Sequence, residues 1–169
     1  MERLRCDVLV VGGGPAGSSA ARAAAQNGLK VLVAERRKQV GLPVQCAEYM
    51  PATLVGMLDL GKEYLVQSVK GMKTFVSGED AKVTATPGYV IRRDLFDQAV
   101  AAEAQRMGAR YLMETRALRR EEDGTVILSH GDQEQQVEAT VIIGADGPRS
   151  TVGRWAGLEN SNLLPGVQV

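Results

Sequence analysis

Gly12, Gly14 and Gly17 follow a run of valine and leucine in the spacing G-x-G-x-x-G, and Glu35 closes the next apolar run. These glycines permit a tight turn, close approach of N–H groups to a diphosphate and close helix packing, respectively. The helix N-terminus adds partial positive charge. Glu35 can accept hydrogen bonds from both ribose hydroxyls of an adenosine and would repel a 2′-phosphate. We therefore expect a dinucleotide site that does not hold NADP; the alternative, an unrelated glycine-rich turn, does not account for Glu35.

A βαβ unit is needed to position these residues. The apolar runs Cys6–Val11 and Lys30–Glu35 predict two buried parallel strands. The alanine-rich stretch that begins at Pro15 predicts a helix between them, with Gly28 at its end. The crossover of such a unit is expected to be right-handed.

The rest of the chain predicts further strands and helices around this unit. Apolar residues at helical spacing after Arg93 predict a long helix, and "RYLME" after it a third core strand. Turns at 123–124 and 131–132 predict an antiparallel three-stranded meander. "TVIIGADG" predicts a fourth buried strand that leads into another glycine turn, and "MPATLVGMLDLG" a short helix. The fold class is therefore α/β, Rossmann-like, with a central parallel sheet and an antiparallel meander.

Composition excludes several classes of function. Twenty basic and twenty acidic side chains cancel among 169 residues, and aromatic residues make up 4%, so nucleic acid is not expected as a partner. No apolar run approaches the roughly 20 residues of a membrane helix. Two cysteines and a strand that starts near the N-terminus predict a cytoplasmic protein without a disulfide framework or signal peptide. No cluster of metal-ligand residues is visible.

Two stretches resemble signatures of flavoproteins. "DVLVVGGGPAGSSAA", with Pro15 after the glycines, resembles the FAD-binding signature of flavoprotein oxidoreductases, and "VIIGADGPRSTVGR" resembles the Asp-Gly motif of flavoprotein hydroxylases and reductases. The second resemblance implies that Asp146 lies near the FAD ribitol and pyrophosphate; an ordinary turn at Asp146-Gly147 is the alternative. Two glycine turns after parallel strands of one sheet favour FAD over NAD.

A third stretch, "PVQCAE", resembles a loop of the geranylgeranyl reductase family, flavoproteins that reduce isoprenoid double bonds. That loop carries Pro-Val-x-Cys-Gly-Glu, so Ala47 stands here in place of the glycine. The resemblance implies that Cys46 is a catalytic residue beside the isoalloxazine ring, where its thiol orients substrate or flavin. The alternative is that Cys46 is a small buried hydrophobic residue.

Other contacts follow from the same resemblance. Arg93, which matches the arginine at the start of the family's helix, would pair with an FAD phosphate or else be solvated. Backbone groups at Ala117 and Leu118 would meet the adenine, and Arg36 would reach the adenosine or belong to the surface. The candidate cofactor-binding residues are Gly12, Gly14, Pro15, Ala16, Gly17, Glu35, Arg36, Cys46, Ala47, Arg93, Ala117, Leu118, Asp146 and Gly147.

The resemblance implies the FAD-binding part of an oxidoreductase that reduces carbon–carbon double bonds of isoprenoids or lipids. NADPH or NADH would be the electron donor, and the full-length protein would contact a membrane peripherally. A flavin-dependent monooxygenase or halogenase and a non-catalytic nucleotide-binding fragment remain alternatives. We expect residues 1–169 to form a truncated FAD/NAD(P)-binding domain, incompetent alone, with a substrate-side antiparallel insertion at 62–90 and the start of a substrate domain at 160–169.

Overall fold

The computed structural model describes residues 3–167. A long central sheet and two small antiparallel sheets account for its strands, and four helices accompany them within that range. The elements in chain order are β1 (Arg3–Val11), α1 (Pro15–Gln26), β2 (Val31–Ala34), β3 (Tyr49–Pro51), α2 (Ala52–Met57), β4 (Leu65–Val69), β5 (Met72–Thr74), β6 (Lys82–Thr84), β7 (Gly88–Ile91), α3 (Arg93–Arg106), β8 (Arg110–Leu112), β9 (Thr115–Arg120), β10 (Val126–His130), β11 (Gln133–Gly144) and α4 (Thr151–Trp155).

The central sheet has the strand order β8-β2-β1-β11-β10-β9. Strands β8, β2, β1 and β11 run parallel, whereas β10 and β9 are antiparallel to their neighbours. The α/β fold class, with a parallel sheet and an antiparallel meander, is therefore confirmed. The carboxyl ends of β1, β2 and β11 meet at one edge of the sheet, which is where ligands bind in such folds.

Alternating side chains of β1 pack on both faces of the sheet. Val8 and Val10 face α1 and α3, where Ala21 and Ala104 allow close helix packing. Leu9 and Val11 face the opposite side, where side chains of β10, β11 and α4 complete a second core. Because both faces are covered there, residues 8–11 of β1 and all of β2 are continuous apolar runs.

The predicted fourth strand differs from the structure in two respects. It is not separate: its residues are the second half of β11, whose first half pairs with β10 and whose later residues continue along β1. It is also less buried than predicted, since Val141 is 49% exposed. The pairing with β10 ends at Val137, so the outer edge of the later residues meets no strand within residues 3–167.

The two small sheets lie between α1 and α3 in sequence. β3 and β4 flank β7, and β5 pairs with β6 as a hairpin. The helix predicted from Pro51 to Gly61 ends earlier, at Met57, because the backbone is extended at Leu58. Tyr49–Pro51, just before it, pairs with β7 as a strand. Residues 158–167 form no helix or strand, and the last two residues of the predicted 160–169 segment lie outside the described part of the chain.

Candidate active site

A cleft of about 610 Å³ lies at the carboxyl ends of the parallel strands. Its volume is within the range of small-molecule sites. Predicted site residues that line it are Gly12, Gly14, Pro15, Ala16, Glu35, Arg36, Arg93, Ala117, Leu118, Asp146 and Gly147. The structure therefore brings together residues from five separate segments of the chain.

The two glycine turns lie side by side on this cleft. Gly12 has φ +101°, and a Cβ there would overlap the carbonyl oxygen of Ala145. Gly12 N donates to Ala34 O at 2.8 Å, and Ala145 N donates to Val11 O at 2.8 Å, which joins both turns to the parallel strands. The two turns are thus in contact with each other at one edge of the sheet and both line the cleft.

Gly14 and Gly17 have different surroundings. A Cβ at residue 17 would overlap the carbonyl oxygen of Gly12, whereas a Cβ at residue 14 would meet no atom within 4 Å. Gly14 is the N-cap of α1, and no side chain caps that end. Among residues 3–167, the N–H groups of Gly14, Ala16 and Gly17 donate to no acceptor. Open space and unpaired donors at a helix N-terminus fit an anionic ligand such as a diphosphate.

Glu35 is only 8% exposed, and both of its carboxylate oxygens are held by backbone groups. Gly13 N donates to Oε2 at 2.6 Å and Arg37 N donates to Oε1 at 2.8 Å. These bonds fix the carboxylate on the cleft wall, and each oxygen has a second lone pair for a ligand hydroxyl.

Asp146 lies on the cleft wall, but its carboxylate is turned toward the start of α4. Oδ1 accepts from Ser150 Oγ, and Oδ2 accepts from Thr151 N at 2.6 Å and Val152 N at 3.2 Å. Sequence reasoning missed this second role, because the N-cap of α4 is Ser150 and Asp146 lies four residues before it, outside the capping positions that residue types mark. The carboxylate of Asp146 therefore connects the second glycine turn to the start of α4.

Arg93 is tied to a buried acid. Its Nε donates to Asp97 Oδ1 at 2.9 Å and its second guanidinium nitrogen to Oδ2 at 3.2 Å. Hydrogen bonding to Asp97, which is 6% exposed, raises the pKa of Arg93. Arg93 N also donates to Glu48 Oε1 at 3.1 Å, which connects the start of α3 to the cysteine-containing loop.

The cysteine-containing loop lies beside the cleft without placing Cys46 on its wall. Pro43, Val44 and Gln45 line the cleft, whereas Cys46 and Ala47 do not. Cys46 Sγ accepts from Glu48 N at 3.4 Å. Ala47 has an ordinary negative φ, and Glu48 adopts the left-handed conformation at φ 56° instead. Ala47 therefore needs no glycine-like backbone conformation in this loop.

Arg37 holds this loop against the rest of the site. Its guanidinium donates to Pro43 O at 3.1 Å and to Gln45 Oε1 at 2.8 Å. Arg36, its neighbour, is exposed on the cleft wall and pairs with no acid among residues 3–167. The sequence predicts that Arg36 reaches the adenosine or belongs to the surface, and its exposed position on the cleft wall is compatible with both.

Two polar residues outside the cleft support the glycine turn: Ser18 contacts it directly, and Tyr111 contacts it through Ser18. Tyr111 Oη donates to Ser18 Oγ at 2.8 Å, and Ser18 Oγ donates to Gly13 O at 3.0 Å. Burial raises the pKa of Tyr111, so the phenol is a proton donor at neutral pH. Neither residue is among the predicted site residues, and neither lines the cleft.

The chain matches the FAD binding domain family over residues 5–163. It is 42% identical to a digeranylgeranylglycerophospholipid reductase of Methanothrix thermoacetophila, over 96% of this chain and 44% of the relative. The chain thus spans less than half the length of this relative.

Solved structures agree with these matches. A structure described as geranylgeranyl bacteriochlorophyll reductase-like, from Thermoplasma acidophilum, superposes with a TM-score of 0.82 at 36% identity, covering 96% of this chain and 44% of that one. A myxobacterial chondrochloren halogenase superposes with a TM-score of 0.71 at 20% identity, covering 88% of this chain and 38% of that one, and shares the fold. The resemblance to geranylgeranyl reductases is confirmed.

Proposed function

The chain belongs to the FAD binding domain family, and from that premise we propose that it is the FAD-binding part of an oxidoreductase that reduces carbon–carbon double bonds of isoprenoid lipids. One observation supports the reaction above others. The relative that is 42% identical is named a digeranylgeranylglycerophospholipid reductase, whereas the halogenase is 20% identical.

The residues on the cleft fit FAD. The open space at Gly14 and the unpaired N–H groups of Gly14, Ala16 and Gly17 would hold the diphosphate. Glu35 would accept hydrogen bonds from the adenosine ribose, and Arg36 with the backbone at Ala117 and Leu118 would border the adenine. FAD, when bound, supplies hydride transfer.

The other predicted residues would act on the turns around the diphosphate. Gly12 and Gly17 support the turn, and Pro15 begins α1 with the φ that a helix requires. Asp146 and Gly147 would border the diphosphate or ribitol from the second turn. The contacts of Arg93 with Asp97 favour a role for Arg93 in holding α3, with its charge as a second, longer-range contribution.

Cys46 is proposed as the residue that borders the flavin ring, with Ala47 beside it. Support comes from the three preceding residues, which lie on the cleft wall. A nicotinamide nucleotide, NADPH or NADH, is proposed as the electron donor. The exposed Arg149 on the cleft wall supports binding of an anionic ligand there.

We propose a lipid substrate and peripheral contact with a membrane by the whole protein. No helix within residues 3–167 has the length and apolar character required to cross a bilayer. Support for surface contact comes from the β5–β6 hairpin, where Phe75 is 75% and Val83 67% exposed near Lys73 and Lys82. Two free thiols support a cytoplasmic location.

The test is anaerobic turnover of the whole parent protein with a geranylgeranyl lipid and NADPH or NADH. Mass spectrometry should show a gain of two hydrogens for each double bond reduced. No gain in any prenyl chain, with oxygen-dependent hydroxylation or halogenation of other substrates, would favour the halogenase or monooxygenase alternative. The chain of 169 residues alone should show flavin absorbance without turnover.

A further inference from the structure

The peptide between Gly13 and Gly14 is held from the protein side. Ser18 is fully buried in α1, and its Oγ donates to Gly13 O at 3.0 Å, while its own N–H donates to Gly14 O at 2.8 Å. This side-chain bond departs from the ordinary helical serine, which bonds a carbonyl three or four residues earlier.

Tyr111 determines the direction in which Ser18 donates. A serine hydroxyl has one proton, and Tyr111 Oη donates to Ser18 Oγ at 2.8 Å from β8. Because the serine oxygen accepts from the phenol, its own proton is directed to Gly13 O. The tyrosine, which is on β8, thus acts on the glycine turn through Ser18.

The direction of Gly14 N–H follows from this bond. The Gly13–Gly14 peptide is trans, so its C=O and N–H point in opposite directions. Ser18 holds the C=O toward the protein interior, which turns the N–H of Gly14 toward the cleft, where no protein acceptor lies within residues 3–167. The preceding peptide is fixed separately, because Gly13 N donates to Glu35.

We propose that Ser18, directed by Tyr111, is a positioning residue that keeps the Gly14 N–H aimed at the diphosphate of the bound dinucleotide. The inference rests on the proposed function only in that it requires a dinucleotide in this cleft. Removal of the hydroxyl frees the peptide to rotate, so that the ligand must fix it on binding. The loss should therefore fall on ligands that carry a diphosphate and spare those that lack one.

The experiment compares adenosine, ADP and FAD as ligands of wild type, Ser18→Ala, Tyr111→Phe and the double variant, with binding followed by NMR and flavin fluorescence. We expect Ser18→Ala to raise the dissociation constants of ADP and FAD about ten-fold and that of adenosine less than two-fold. Tyr111→Phe should raise the dissociation constants of ADP and FAD about three-fold. The double variant should have the same dissociation constants as Ser18→Ala, because both residues act through one bond.

Ser19→Ala is the matched control, since Ser19 is the exposed neighbour of Ser18 on the same helix. It should leave all three ligands unchanged. The amide signal of Gly14 should shift in Ser18→Ala without ligand and in wild type on addition of ADP. Equal losses of adenosine and ADP affinity, or unchanged ADP affinity in both single variants, would overturn the inference.

The two proposals fail in different ways. If the parent protein reduces no prenyl chain while Ser18→Ala still weakens ADP and spares adenosine, the positioning role stands and the proposed reductase activity is wrong. If wild type binds neither ADP nor FAD, both are overturned.

Discussion

Gly12, Gly14 and Gly17 carry three different physical constraints although they stand in one motif. Gly12 needs the left-handed region at φ +101° and close contact with Ala145. Gly17 has an ordinary φ, but any side chain there would overlap Gly12 O. Gly14 faces open space with φ −70°, so the fold itself tolerates a methyl group there. Stability and ligand binding can therefore be separated within the motif.

The pair Gly17→Ala and Gly14→Ala should separate these effects. Gly17→Ala is expected to lower the free energy of unfolding by about 1–3 kcal/mol, because α1 must move away from the turn. Gly14→Ala should change that free energy by less than about 1 kcal/mol. It should nevertheless weaken FAD binding about ten-fold or more, because its methyl group enters the space of the diphosphate. Urea denaturation and flavin fluorescence titration measure the two quantities.

Gly56→Ala is the control for this pair, since a Cβ at residue 56 in α2 also meets no atom within 4 Å and lies away from the cleft. It should leave FAD binding unchanged. A Gly17→Ala variant as stable as wild type, or a Gly14→Ala variant with full FAD affinity, would contradict the assignment.

Cys6 gives a pH-dependent prediction. Burial, followed by the charge of Asp7, raises the pKa of its thiol from 9.0 to about 11. The unfolded chain therefore ionises this thiol first as pH rises. Its contribution to stability is full below pH 9 and is lost as pH rises toward 11. The difference in urea midpoint between wild type and Cys6→Ala should shrink across that interval.

Alkylation measures the same thiol directly. In the Cys46→Ala variant, Cys6 is the only cysteine, and its rate of reaction with iodoacetamide should keep rising toward pH 11. A rate that levels off near pH 9, as for an unfolded chain, would show that the thiol is not shielded.

Local patterns predicted some site residues and could not predict others. The glycine turn and Glu35 lie in one βαβ unit, so their spacing alone places them together. The capping bonds of Asp146 and the left-handed Glu48 depend on how two loops fold, which residue types do not reveal. Tyr111 escaped notice because it reaches the turn through Ser18 from a strand that is 93 residues away in sequence.

At the scale of elements, β11 shows why strand boundaries were harder to predict than strands. The stretch from Gln133 begins polar and becomes apolar only from Val141, which suggested two strands. The two predicted segments form one continuous strand. Its residues up to Val137 pair with β10, whereas the later residues pair with β1, and burial changes between them without a turn. The meander itself was predictable, since glycine turns separate its strands.

The start of α3 gives a prediction at this scale. Arg93→Ala should lower the free energy of unfolding by about 1–3 kcal/mol, because it leaves the buried carboxylate of Asp97 without its charged partner. Urea denaturation at neutral pH measures the change. The effect on FAD binding should be smaller than that of Gly14→Ala if Arg93 acts mainly on the helix.

Arg106→Ala provides the matched control on the same helix. Arg106 pairs with Glu103 one turn earlier, but its side chain is 63% exposed. An exposed pair contributes about 1 kcal/mol or less. Equal losses in the two variants would show that burial of Asp97 does not raise the cost of breaking its ion pair.

For the whole molecule, apolar surface is distributed unevenly. Both faces of the central sheet are buried, whereas the β5–β6 hairpin leaves Met72, Phe75, Val76 and Val83 at least half exposed. The net charge of zero opposes self-association only weakly. The sequence predicted an antiparallel insertion at 62–90, but its division into four strands, with β5 paired to β6 and β4 to β7, depends on a register that alternation does not encode.

Replacement of Phe75 and Val83 by serine should therefore change solubility and leave stability intact. Neither side chain belongs to a buried cluster, so the free energy of unfolding should stay within about 0.5 kcal/mol of wild type. Leu9→Ala, in the fully buried centre of β1, should cost about 2–5 kcal/mol and serves as the contrast. Sedimentation velocity should show less self-association for the double serine variant than for wild type, because the exposed patch is smaller. If that variant unfolds at a much lower urea concentration than wild type, the hairpin packs on the core. If its self-association is unchanged, another surface of the protein causes the association.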